Sequence, residues 1–77
     1  MSHHVLPLSR LKKGDRAVIK ELTKGDLALK LMELGFLPGE TVVIEKIAPL
    51  GDPMSVKIGT YVLSLRKEEA NAVMVQR

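Results

Sequence analysis

The sequence predicts a mostly β fold, a small barrel of short strands with a single inserted helix. Three observations point there. Short apolar stretches recur along the chain, separated by Gly, Pro, Asp and Thr, the spacing of strands joined by tight turns. Only one stretch, residues 26–34, places its leucines at helical intervals. In Met54–Ile58 the residues Met54, Val56 and Ile58 alternate with Ser55 and Lys57, the period of a half-buried strand. A closed or nearly closed barrel is the common way for such strands to limit their exposed edges.

Taken in order, residues 1–7 read as a flexible leader, and residues 8–77 as the barrel domain. Pro7 cannot donate a hydrogen bond, and Leu8 and Leu11 are then placed to dock onto the barrel. Lys13-Gly14-Asp15 is a turn into a strand over residues 16–22, where Ala17, Val18, Ile19 and Leu22 break strict alternation. That break predicts strong twist or a bulge. Thr23-Lys24-Gly25-Asp26 is a second turn, with Asp26 as helix N-cap. Along the helix, Leu27, Leu31 and Leu34 form an apolar stripe widened by Ala28 and Met32, while Lys30 and Glu33 are spaced to pair on the opposite face. Leu29 falls beside the polar face, so it is the leucine expected to be most exposed.

Gly35 supplies the left-handed conformation that ends a helix, and Phe36 follows where a residue folds back onto the last turn. Pro38-Gly39 matches the middle of a type II turn. A strand over residues 41–48 follows, then a stiff loop, Ala48-Pro49-Leu50-Gly51-Asp52-Pro53. Gly59-Thr60 turns Met54–Ile58 into Tyr61–Leu65, residues 66–71 suit one helical turn, and residues 72–76 form a last strand.

Composition removes several function classes. A chain of 77 residues buries only about 60% of its unfolded surface, leaving little room for a deep substrate pocket. There is no cysteine, so disulfides and thiolate metal sites are absent. No uncharged stretch exceeds nine residues, far short of the roughly 20 apolar residues a membrane helix needs. No basic patch precedes an apolar run at the amino terminus, so no signal peptide is expected and the cytoplasm is the expected compartment. The net charge is +3, but its basic and acidic residues are interleaved, unlike the one-sided basic face of a nucleic-acid binder.

No catalytic constellation is present. The only histidines, His3 and His4, lie in the leader, far in sequence from Ser64, so a Ser-His-Asp set is not expected. The leader Met1-Ser2-His3-His4 could offer terminal nitrogen ligands to copper or nickel, but nothing nearby fixes such a site. Glu68 and Glu69 are adjacent and diverge by about 100° on a helix, so no metal site and no cofactor are expected. The aromatic stock is Phe36 and Tyr61 alone, too little for a base-stacking platform or a proline-rich peptide groove.

Three blocks then stand in order: Leu31-Met32-Glu33-Leu34-Gly35-Phe36-Leu37-Pro38-Gly39, Ala48-Pro49-Leu50-Gly51-Asp52-Pro53, and Leu63-Ser64-Leu65-Arg66-Lys67-Glu68-Glu69-Ala70. Together they resemble the FeoA family, small cytosolic proteins of bacterial ferrous iron uptake, over nearly the whole chain. One departure is that Gly59 lies a residue further from Leu63-Ser64-Leu65-Arg66 than is common there. The resemblance implies an SH3-like barrel with an inserted α-helix, no catalytic residues, and an accessory role beside a FeoB-like membrane permease carrying a GTP-binding domain. A related domain occurs in metal-dependent repressors of the diphtheria-toxin-repressor type, but this chain has no helix-turn-helix segment.

The expected function is therefore docking onto the cytoplasmic part of such a permease. Its alternatives are direct ferrous-iron binding or sensing and, more distantly, nucleic-acid binding. Gly35, Pro38, Gly39, Pro49, Gly51 and Pro53 are expected to define the backbone. Leu29, Met32, Leu37 and Leu50 are the candidate partner contacts, with Leu50 foremost because a stiff loop presents an apolar side chain at low entropic cost.

Overall fold

The computed structural model describes residues 4–23 and 25–77. Six strands form one antiparallel sheet: β1 (Val5–Pro7), β2 (Arg16–Leu22), β3 (Thr41–Ile47), β4 (Met54–Ile58), β5 (Tyr61–Leu65) and β6 (Val73–Gln76). Their order across the sheet is β1-β6-β2-β3-β4-β5. Helix α1 (Gly25–Glu33) is inserted between β2 and β3, and the short α2 (Lys67–Ala70) between β5 and β6. The sheet curls around a core that includes Leu8, Ile19, Leu31, Phe36, Val42, Ile44, Val56, Leu65, Val73 and Val75.

Within the span expected to be a leader, residues 1–3 lie outside the described residues, and Val5–Pro7 is a strand. Val5, Leu6 and Pro7 pair with Gln76, Val75 and Met74. The alternation signal needs more than three residues, and here only the distant β6 makes the segment a strand. Leu8 and Leu11 are buried as expected, at the first residue of a short 3-10 turn and just after it.

The irregularity expected in β2 is a register shift against β6 between Ile19 and Glu21. Ala17 and Ile19 face the core before it, whereas the half-buried Leu22 lies on the other parity after it. One extra residue switches which positions face inward. A second shift interrupts β3 against β4 between Ile44 and Lys46.

Helix α1 is displaced by one residue from its expected span. Lys24 lies outside the described residues, and the helix starts at Gly25, so Asp26 sits in its first turn rather than at the cap. Its carboxylate there still opposes the positive end of the helix dipole. Leu31 is fully buried and Leu27 packs against the core. Leu34, expected in the buried stripe, is 43% exposed. Its N–H still donates to the Lys30 carbonyl at 3.2 Å, but it lies just past the last residue of the helix, where its side chain lines an open hollow with Tyr61 and Leu63 instead of the closed core. Lys30 pairs across to Glu69 of α2 at 3.9 Å, not with Glu33 as the helical spacing suggested.

The helix end is held by the cap read from Gly35-Phe36. Gly35 has φ +105°; its N–H donates to the Met32 carbonyl and the Phe36 N–H to the Leu31 carbonyl, both at 3.0 Å. This pair of bonds is a Schellman motif, and it turns Phe36 fully into the core. Next, the Glu40 N–H donates to the Leu37 carbonyl at 3.0 Å, with Gly39 at φ +95°, as a type II turn requires. The same turn grips β2: the Gly39 N–H donates to the Ile19 carbonyl at 2.8 Å, and the Ile19 N–H to the Glu40 carbonyl at 2.9 Å. Leu34-Gly35-Phe36-Leu37-Pro38-Gly39 thus ties the helix to the sheet beside the β2 register shift.

Candidate functional site

Leu50 stands at the tip of the β3–β4 loop and is 96% exposed. The loop beneath it is held at several points. The Gly51 N–H donates to the Ala48 carbonyl at 2.7 Å, with Gly51 at φ +86°, and the Ala48 N–H donates to the Pro53 carbonyl at 3.0 Å. The Lys67 N–H donates to Asp52 Oδ1 at 3.0 Å, while the Arg66 N–H donates to Glu69 Oε1 at 2.8 Å. Asp52 therefore serves one of the free amides that open α2. Pro49, Gly51 and Pro53 frame this turn, and the Asp52–Pro53 peptide is cis. An isobutyl group is held out into solvent on a braced backbone.

The other candidates sit elsewhere. Leu29 is 63% exposed, the most exposed leucine of α1, with Met32 one turn along the same side. Leu37 is exposed in the turn and shares a hollow with Leu34, Gly35, Glu40, Ile58, Gly59 and Tyr61. A neighbouring hollow of about 410 Å³ is lined by Glu33, Leu34, Gly35, Tyr61 and Leu63. Leu50 is not part of this group. Ile58 pairs with Tyr61 at one end of the β4–β5 hairpin and Met54 with Leu65 at the other. Leu50 lies beyond the Met54 end, so about 13 Å of strand separates its loop from the Leu37 hollow.

Local periodicity places two residues of this surface elsewhere. Helical periodicity puts Leu34 in the core stripe, and strand alternation puts Tyr61 on one face with Leu63 and Leu65. In the fold that face grades from exposed Tyr61 through half-buried Leu63 to buried Leu65. A residue beside a hairpin turn projects past the core, which is the one hint the sequence contained.

Charges are dispersed over the surface. Arg77 approaches Asp15 at 3.6 Å and Lys30 approaches Glu69 at 3.9 Å. The Ser9 hydroxyl donates to Asn71 Oδ1, joining the turn after β1 to the end of α2. Among the described residues, no group of three or more His, Asp or Glu is placed to hold a metal ion. Met1, Ser2 and His3 lie outside the described residues, and His4 is exposed beside β1. No helix among the described residues is long and apolar enough to cross a membrane.

Comparison with known proteins gives a consistent result. The FeoA domain family matches residues 6–77. An Fe(2+) transport protein A/Fe(2+) transporter FeoB fusion protein of Porphyromonas gingivalis is 39% identical over 70 residues, which is 90% of this chain and 8% of that protein. The chain thus spans under a tenth of that curated relative. The solution structure of iron(II) transport protein A from Clostridium thermocellum is 47% identical, with a TM-score of 0.85, over 92% of this chain and 44% of that one. The Stenotrophomonas maltophilia FeoA complexed with zinc, called a prokaryotic SH3 domain protein, is 32% identical with a TM-score of 0.83, over 94% of this chain and 95% of that one. The SH3-like barrel with an inserted helix is the architecture of this chain as well.

Proposed function

Because the chain belongs to the FeoA domain family, we propose that it is a cytoplasmic accessory protein of ferrous iron uptake that docks onto the cytoplasmic part of a FeoB-like GTP-binding permease. The observation that carries this reading is the Porphyromonas gingivalis relative, in which the homologous segment and a FeoB transporter share one polypeptide. Two functions joined in one chain gain a high effective concentration for each other, which is useful where they must touch. The Stenotrophomonas maltophilia relative is offered as a ferrous iron transport activating factor, which fits an accessory role.

The geometry favours contact over chemistry. The described surface presents isolated apolar side chains on braced backbone. Burying Leu50 completely against a partner contributes about 1.5–3 kcal/mol. Its loop is already tied through Gly51, Pro53 and Asp52, so little ordering cost offsets that gain. Leu29 and Met32 offer a second small apolar area on α1.

Binding of the purified chain to the cytoplasmic GTP-binding portion of the permease from the same genome, measured by calorimetry, tests the reading. Wild type is expected to associate, and Leu50→Asp and Leu29→Glu, both folded, to bind about tenfold more weakly or worse. No association of the wild-type chain would reject docking. Unchanged binding by both variants would remove these side chains from the interface.

A further inference from the structure

The sheet has two edges, and they are built differently. The β1 edge is three residues long and ends in Pro7, a short edge carrying a residue with no N–H to offer. The β5 edge is Tyr61-Val62-Leu63-Ser64-Leu65, with no charge, no proline and an unbroken register against β4. Gly59-Thr60 is a two-residue hairpin connection with Gly59 at φ +59° and Ile58 opposite Tyr61. In such a hairpin the flanking pair is hydrogen-bonded, so bonded pairs recur at Val56–Leu63 and Met54–Leu65. The N–H and C=O groups of Val62 and Ser64 therefore point away from β4. Among the described residues no strand pairs with them and no loop backbone bonds to them, and both residues are exposed.

A five-residue neutral edge of this kind invites another strand, and folded proteins commonly block it with lysine, proline or a bulge. Here none of those devices is present on β5. The hollow lined by Leu34, Gly35, Tyr61 and Leu63 lies beside it, with Glu33 at its rim and Glu40 in the adjoining hollow. Neither carboxylate is engaged in an ion pair among the described residues. Free backbone donors and acceptors select an extended segment, the hollow selects apolar side chains on it, and the carboxylates select a cation.

We propose that the free edge of β5 takes an extended segment of the docking partner as an added strand, seating an apolar side chain against Leu34 and Tyr61 and a lysine or arginine beside Glu33. This rests on the docking reading above and adds a backbone contact at the β5 edge to the Leu50 and Leu29 side chains named there. A second copy of this chain is the competing occupant.

Amide hydrogen exchange on the full chain, alone and with the permease's cytoplasmic GTP-binding portion, tests the proposal. The Val62 and Ser64 amides exchange rapidly in the free chain and become protected at least tenfold in the complex. Val62→Pro removes an outward N–H without breaking a β4 ladder bond, and it weakens binding tenfold or more. Glu33→Lys, which leaves the strand untouched, weakens it severalfold, most at low salt. A complex that forms without protection of these two amides, and that Val62→Pro leaves intact, overturns the edge proposal while docking stands. No complex with wild type overturns both. Protection that rises with concentration of the free chain assigns the edge to self-association and also overturns it.

Discussion

Replacing Gly35 and Gly25 separately by alanine applies one chemical change at the two ends of helix α1, and the structure requires opposite signs. Gly35 has φ +105°, and a Cβ added there meets no heavy atom within 4 Å. Crowding therefore contributes nothing, and the cost is the backbone conformation alone, about 1–2 kcal/mol for an L residue. Relaxing φ to relieve it would pull apart the Gly35–Met32 and Phe36–Leu31 bonds, which turn Phe36 into the core. Gly25 lies in the helix without a positive φ, and a Cβ there is equally unobstructed. Alanine at 25 is expected to stabilise by about 0.4–1 kcal/mol, by limiting the unfolded chain and favouring the helix. The two variants should then differ by about 1.5–3 kcal/mol. With an m-value of about 1 kcal/mol/M in urea for a domain of this size, their unfolding midpoints separate by about 1.5–3 M. Circular dichroism during urea unfolding measures this, with equal m-values confirming that the native states are comparable. Gly35→Asn should recover part of the loss, since asparagine tolerates positive φ better than alanine. A Gly35→Ala chain as stable as wild type, or a shift of both variants in the same direction, refutes the account of the helix end.

Further outcomes follow from the packing. Leu31→Ala, at a fully buried position, should cost about 2–5 kcal/mol in the same urea assay, whereas Leu29→Ala on the outer face should stay within about 0.5 kcal/mol. Asp52→Ala removes the acceptor of the Lys67 N–H and should cost about 1 kcal/mol, read as a lower thermal midpoint with the loop backbone loosened in amide exchange. Lys30→Ala breaks a 3.9 Å contact from a largely exposed ammonium, so its effect should stay below about 0.5 kcal/mol and vanish in high salt.

Much of the fold could be read locally because local chemistry decides it. The bounds of β2, β4 and β5 follow from apolar positions between turn residues, and the helix terminator from Gly35, Phe36, Pro38 and Gly39, each needed for its own backbone geometry. What escaped depends on distant chain. Val5–Pro7 becomes a strand only through β6, and Lys30 chooses Glu69 because α2 is brought beside α1. The exposure of Leu34 depends on where the core ends beside Tyr61 and Leu63, which helical rotation alone does not give. The candidate side chains Leu29, Met32, Leu37 and Leu50 could be picked out as unneeded by the core. Their separation over the loop, the helix and the turn could not, nor could the open edge of β5, because sheet order is a property of the whole topology.

The position of β6 between β1 and β2 also bears on how the chain can be made. Both of those early strands take hydrogen bonds from residues 73–76, so neither can complete its pairing until the last strand has left the ribosome. At about 5–20 residues per second, β1 waits several seconds for its partner, while β3, β4 and β5 can close their hairpins as they emerge. The middle of the chain can fold as it emerges; the sheet is sealed only once residues 73–76 have followed. A nascent chain stalled before residue 73 would expose the seam that β6 fills, and that interval is when a chaperone would find most to hold.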